Sequence, residues 1–281
     1  LQTKFNIFNK HIFPTFENMP IKEIDEDIIA DWQDEIKEKV LPNGKPFSDA
    51  YLRTIQCQFN SIINYAKNKG YITLNPLTDI KNMGTKSVRV KFWTLEEYEK
   101  FSYKAMNYPR YYYAYEILYW CGLRVGELLA LTPRDIDLEE GSINITKTYH
   151  FMNGEDMVTT PKTPSSFRKV SMPAFLVDEI KEYMNLLYDH SEDDRLFKFK
   201  RTQLNKNLAY IVEKSKLKPI TIHGLRHSHV SLLISRKYDI FEVSKRIGHK
   251  SIVTTQNIYG HLFDSVQKTI ATDLDKMRRG V

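Results

Sequence analysis

The chain has 281 residues, 42% of them hydrophobic, with 41 Lys and Arg against 35 Asp and Glu for a formal charge of +6. That length exceeds the roughly 100–200 residues of an ordinary single core, so two domains are expected, and the modest positive balance favours a polyanionic partner. Cys57 and Cys121 stand too far apart for a disulfide framework or a metal-ligand cluster, which points to a reducing, cytoplasmic setting, and no apolar run approaches the roughly 18–20 residues of a membrane span.

The sequence opens on Leu1 rather than Met, as expected of a piece preceded by a further N-terminal module. Residues 17–38 carry nine acids against two lysines, a pattern expected of a helix that faces solvent or a protein. Residues 39–91 reverse the sign, with nine bases against two acids. Arg53, Lys67, Lys69, Lys81, Lys86, Arg89 and Lys91 in this stretch are candidate phosphate contacts. Within it, Ser48 is placed to cap a helix whose apolar positions Tyr51, Leu52, Ile55, Phe59, Ile62, Ile63 and Ala66 recur at spacings of three and four. Taken alone, solubilising lysines explain such a helix better than a nucleic-acid face does.

After Asn75-Pro76 the periodicity dissolves into a polar, basic stretch. Residues 1–77 are therefore expected to form a helical domain and residues 78–92 a linker, whose fourteen residues from Thr78 to Lys91 span about 45 Å if extended. A second domain is expected over 93–264, opening on the capping box Thr94-Leu-Glu-Glu97. Helical patterns run through 94–132 and 173–190. Between them, residues 141–146 alternate at period two, Asn153-Gly154 signals a hairpin turn, and Met157–Thr160 is placed as the returning strand of one small antiparallel sheet. Residues 195–226 are basic again, nine bases against Glu213, and include the candidate contacts Lys200, Arg201 and Lys206. Beyond 264, Val266, Ile270, Leu274 and Met277 form one apolar stripe on a tail helix over 265–281.

Several polar residues stand where helix cores prefer apolar ones. Arg124 lies between Leu123 and Val125, three residues before Glu127; His223 and Arg226 share a helix face at i and i+3; Gly248-His249 is followed ten residues later by Tyr259. Singly, each is better read as an ion pair or a packed group. In this order, within a basic second domain, they resemble the tyrosine recombinase family. The motifs that carry the likeness are CGLRVGELLALTPRDID (121–137), PKTPSSFR (161–168), TIHGLRHSH (221–229) and IGHKSIVTTQNIYGH (247–261), and the flavour is that of phage and conjugative-transposon integrases.

The resemblance implies a mainly α fold with a small antiparallel β-sheet, built as a two-domain clamp: a SAM-like core-binding domain and a catalytic domain. It implies a metal- and ATP-independent enzyme that cuts and rejoins double-stranded DNA at recombination sites through a 3′-phosphotyrosine on Tyr259. Arg124, Arg226 and His249 are then expected to bind the phosphate, His223 to accept the tyrosine proton, Lys162 to protonate the leaving oxygen, with Lys147 and Lys169 as alternatives, and Glu127 to support Arg124. Assembly as a tetramer, with an accessory directionality factor, is implied too, and no cofactor. The stretch 147–161 is longer than the short turn of many relatives and is expected to add a β-hairpin. A type IB topoisomerase and a DNA-binding protein without catalysis remain as alternatives. Metal binding by His223, His227, His229 and His249 is disfavoured because Arg226 would repel a cation from the same face; His227, His229 and His261 are expected to be capping or packing groups.

Overall fold

The computed structural model describes residues 2–85, 90–152, 154–161, 164–188, 190–249, 251–259 and 266–279. The chain divides into two units, 1–88 and 89–281. In the first, α1 (Gln2–Ile7) runs through a π-helical turn into α2 (Phe13–Phe16). The carboxylate of Asp25 accepts the Ile28 N–H and starts α3 (Glu26–Glu38), whose acids leave room for one buried stripe of Ile29, Trp32 and Ile36. Ser48 caps α4 (Asp49–Asn68) through the Tyr51 N–H, and the expected stripe turns inward, with Leu52, Ile55, Phe59, Ile63 and Ala66 buried. Phe16, Trp32 and Phe59 meet ring to ring at the centre, with centroids 4.7–5.5 Å apart.

The segment expected as a free linker is docked at its start. Met83 is buried in the first core, Leu77 and Ile80 pack against it, and Gln33 Nε2 donates to the Lys81 carbonyl at 3.1 Å. Its apolar side chains are spaced for docking rather than for a helix, so a search for helical period passes over them. By Val90 the chain belongs to the second unit: Val90 packs on the cluster around Val230 and Ile247, and the Trp93 N–H donates to Ser228 Oγ.

The second unit begins at the expected Thr94–Glu97 capping box. The helical stretch read as 94–132 is three helices, α5 (Leu95–Ala105), α6 (Pro109–Trp120) and α7 (Val125–Ala130). Pro109 begins the second of them, and Gly122, with φ +65°, turns the chain before the third. The hairpin expected within 147–161 is present, and it forms a sheet separate from that of 141–146. In the sheet of 141–146, β1 (Ile136–Asp137), β2 (Ser142–Ile145) and β5 (Arg168–Ser171) are antiparallel in the order β1-β2-β5. In the hairpin, β3 (Thr148–Met152) pairs with β4 (Glu155–Thr159), Thr148 opposite Thr159, so the returning strand pairs with 148–152 and not with 141–146. Then come α8 (Ala174–Leu186), α9 (Arg201–Lys214), α10 (Ile222–Ser235), α11 (Ile240–Ile247), α12 (Ile252–Tyr259) and α13 (Val266–Arg279). Among the described residues no helix is long and apolar enough to cross a membrane.

Candidate active site

Arg124 is the residue before α7, and Glu127 lies in that helix's first turn. The Glu127 carboxylate accepts the Arg124 backbone N–H at 2.9 Å and its Nη1 at 2.7 Å, so one acid satisfies an orphan amide and orients a guanidinium. Arg124 also donates from Nη2 to the Gly248 carbonyl at 2.9 Å. From β5, Arg168 reaches the same carboxylate with both terminal nitrogens. Burial opposes the ionisation of Glu127, but the hydrogen bonds and charge of Arg168, the Arg124 amide and the Arg226 charge outweigh it and hold the carboxyl down at about 2. Arg168, the last residue of the 161–168 motif, carried no expected role; the structure makes it the second partner of Glu127. Strand alternation places it on the same face as the buried Val170 but does not say which element that face meets.

Arg226 on α10 is 2% exposed. Its Nη1 donates to the Gly122 carbonyl at 2.7 Å and its Nη2 to the Ile247 carbonyl at 2.6 Å, so it joins the chain just beyond α6 to the end of α11. Burial, then the neighbouring Arg124, lowers its pKa to about 9, which leaves it charged at neutral pH. Arg124 and Arg226, expected to bind one phosphate, come together in space: both reach the Ile247–Gly248 turn.

Tyr259, at the end of α12, is 1% exposed and packs among Val230, Ile234, Val243 and Ile247. Its hydroxyl meets Nδ1 of His227, one residue after Arg226. Burial raises the phenol well above its usual range, and the Arg226 charge offsets only part of that. His227, expected to be a capping or packing group, is thus the histidine in contact with the candidate nucleophile. His223 packs edge-on against His227 with ring centroids 4.6 Å apart. Dense protein around its ring, then the charges of His227, Arg226, Arg124 and Arg201, push its pKa to about 4. His227 is pushed to about 4 by burial and Arg226. His249 is held through Nδ1 by Thr255 Oγ1 at 2.8 Å and is pushed to about 4 by burial, then by Arg226 and Arg124. All three are neutral at pH 7, so the arginines carry the positive charge of the site. His229 is fully inside, accepts from Arg246 Nε at 3.2 Å, and fills the space a Cβ at Gly122 would take, 2.5 Å from its ring.

The lysines divide. Lys162 lies outside the described residues, as do Lys86, Arg89 and His261. Lys147 is tied to Asp135 at 2.7 Å and to Thr132 Oγ1 at 3.0 Å. Lys169 pairs with Glu140 from the opposite face of β5 to Arg168. Of the other basic candidates, Arg53 and Lys67 lie along one side of α4, while Lys69 follows its end. Lys67 is engaged with the Thr73 carbonyl at 2.7 Å; Lys81 and Lys91 are exposed. Lys200 sits 3.7 Å over the Phe151 ring of the hairpin, Arg201 begins α9 close enough to His223 to oppose its protonation, and Lys206 lies about 140° further round that helix.

Residues 91–265 match the Phage integrase family, and residues 1–37 match the Phage integrase N-terminal SAM-like domain. The ICEBs1 integrase of Bacillus subtilis (strain 168) is 32% identical over 290 aligned positions, covering 98% of this chain and 77% of that protein. The integrase of Staphylococcus phage L54a is 31% identical over 181 positions, 58% of this chain and 51% of its own length. Among solved structures, the Tn1549 transposon integrase in complex with a circular intermediate DNA superposes with a TM-score of 0.78 at 21% identity, over 96% of this chain and 91% of that one. A lambda integrase dimer bound to a core site gives 0.63 at 20% identity, over 90% and 89%.

Proposed function

The chain belongs to the phage integrase family of tyrosine-type site-specific DNA recombinases, and from that premise we propose that it cleaves and rejoins DNA strands through Tyr259. The observation that carries the assignment is the meeting of α10, α11 and α12, where the Tyr259 hydroxyl sits on His227 next to Arg226 and beside the turn that also holds Arg124.

A phosphodiester anion repels nucleophiles, and charge builds on its nonbridging oxygens as a fifth oxygen approaches. Arg124 and Arg226 supply fixed donors to those oxygens, and His249 a further hydrogen bond. The Tyr259 oxygen attacks phosphorus, its proton passing to a neutral histidine, and the phosphorus–5′-oxygen bond breaks. Lys162 gives the departing oxygen a proton. The new phosphotyrosine keeps a phosphoester in place, so a 5′-hydroxyl can reverse the step without ATP or metal. For the first proton, His223 is what the family likeness implies, while His227 is the group in contact. Double-stranded DNA carrying the element's recombination sites is the substrate, assembly on it is tetrameric, and an accessory protein sets direction. Arg53, Lys81, Lys91, Lys200 and Arg201 are proposed to meet backbone phosphates.

Incubation with a nicked attachment-site DNA tests this. The parent protein gives a denaturation-resistant protein–DNA adduct, with or without EDTA; Tyr259→Phe binds the same DNA with little change and gives none. An adduct formed by Tyr259→Phe removes the assignment, and activity that only a divalent ion restores removes its metal independence.

A further inference from the structure

Three arginines from three elements end on three successive carbonyls. At the C-terminal end of α11, Arg168 Nε donates to the Arg246 carbonyl at 2.9 Å, Arg226 Nη2 to the Ile247 carbonyl at 2.6 Å, and Arg124 Nη2 to the Gly248 carbonyl at 2.9 Å. The last carbonyls of a helix have no partner within it and carry the negative end of its dipole, about half an elementary charge. They are therefore natural seats for cations.

Cations crowded together repel and need compensation. Carboxylates would give it, but each would cancel one of the positive charges a phosphate is meant to meet. Partial charges on backbone carbonyls hold the guanidiniums in place and leave most of their charge available. Glu127 is the one carboxylate these arginines contact, and it is shared: Arg168 takes it bidentately and Arg124 through Nη1, so a single negative charge is divided between two guanidiniums while Arg226 is held by carbonyls alone.

This seat depends on Gly248. Its backbone is left-handed, φ 67° and ψ 50°, and its N–H returns to the Lys245 carbonyl at 3.0 Å, closing the helix so that the carbonyls of 247 and 248 both face the arginines. A Cβ here would stand 2.9 Å from the Ser165 carbonyl oxygen and 3.1 Å from Cδ of Arg168. A side chain thus costs backbone strain and pushes on one of the three arginines.

We propose that the Arg246–Gly248 turn is the element that positions the phosphate-binding arginines for strand cleavage, with Gly248 as its positioning residue. This rests on the reading of Arg124 and Arg226 as phosphate ligands. The test compares adduct formation on two nicked DNAs, one with a natural scissile phosphodiester and one with a methylphosphonate, which lacks one nonbridging negative charge and so needs fewer cations. Gly248→Ala is expected to lose about tenfold or more in adduct rate on the phosphodiester, with half-site affinity unchanged, and to lose several-fold less on the methylphosphonate. Gly248→Asn, which tolerates left-handed backbone but keeps the Cβ, falls between and serves if the alanine variant does not fold. A parent-like rate in both variants, or equal losses on both substrates, overturns the proposal. Arg226→Ala is run beside them: if it too loses equally on both substrates, the phosphate-ligand reading itself has failed.

Discussion

Arg168 grips Glu127 with both terminal nitrogens, Nη1 to Oε1 at 3.1 Å and Nη2 to Oε2 at 2.8 Å, and the two side chains are only 7% and 4% exposed. A buried pair of this kind is costly to break from one side, because the partner left behind keeps its charge without its compensation. Arg168→Met is therefore expected to destabilise the second unit by about 3–5 kcal/mol in urea denaturation. Arg168→Met with Glu127→Gln should regain part of that stability and none of the cleavage rate, since Arg124 still lacks the carboxylate that orients it. A double variant that cleaves like the parent would show that the pair serves folding alone.

The Tyr259–His227 contact gives a second expectation. A buried phenol with a raised pKa needs an acceptor at neutral pH, and general-base assistance is worth about 10²–10⁴-fold. His227→Gln is expected to slow adduct formation within that range, and the deficit should shrink as pH rises and hydroxide takes over the proton. His223→Gln should cost less and keep the parent's pH profile. The opposite ranking would return the acceptor role to His223.

How far the sequence could go is visible in these two contacts. Order and spacing along one chain singled out Arg124, Arg226, His249 and Tyr259 as unusual for helix cores, and the family likeness they carry implied Glu127 as the support of Arg124; the structure brings the Arg124–Glu127 pair together. His227 was passed over since, next to Arg226 in sequence, nothing in period or composition says which of three neighbouring histidines faces α12. Arg168 was missed for a related reason: its partner is forty-one residues away, and only the meeting of β5 with α7 brings them together. Helices with caps and stripes, such as α4 and α5, were legible, and so was the added hairpin within 147–161; that 141–146 pairs with β1 and β5 instead of with the returning strand was not, because alternation marks a strand without naming its partner.

The leaving oxygen's proton can be assigned with a substrate that does not need one. If Lys162 is the donor, Lys162→Ala should be slow on ordinary DNA and much faster on DNA whose scissile 5′-bridging oxygen is sulfur, because a thiolate departs unprotonated. Lys147 is already committed to Asp135 and Lys169 to Glu140, so alanine at either should show no such rescue. Rescue of Lys147→Ala or Lys169→Ala, without rescue of Lys162→Ala, would move the role.

Acid should weaken the fold in two overlapping windows. His229, buried and close to the Arg246 charge, is held at about 3 against an ordinary 6.5, and His223, His227 and His249 at about 4. The unfolded chain takes up these protons below about 6.5 while the folded chain does not, so stability present above 6.5 is lost as pH falls toward 3–4. For one fully buried histidine the slope is about 1.4 kcal/mol per pH unit. Glu127, held at about 2 against 4.5, adds stability above 4.5 that is lost only as pH falls through 2. Between 6.5 and 4.5 the decline therefore belongs to histidines, and His229→Gln should reduce its slope by about 1.4 kcal/mol per pH unit. A urea midpoint unchanged across that interval would contradict the neutral state of these rings.

The tail offers the last expectation. α13 spans Val266–Arg279, and on it Leu274 and Met277 are 60% and 77% exposed. A short helix with an apolar stripe is marginal alone in water, and Leu274 and Met277, open in one copy of the chain, call for a cover. We expect that cover to be a neighbouring copy on DNA, as the family likeness implies. Each side chain that becomes fully buried contributes about 1.5–3 kcal/mol to the contact it makes, whereas the basic residues proposed to hold DNA lie on α4, on α9 and before α5. Cutting the chain after Asp264 should then weaken assembly on a full site far more than binding of one copy to a half-site. Sedimentation of intact and truncated protein on both DNAs measures the two effects separately. An unchanged assembly on the full site would mean that α13 is covered within its own chain when DNA is bound, and that the contact between copies lies elsewhere.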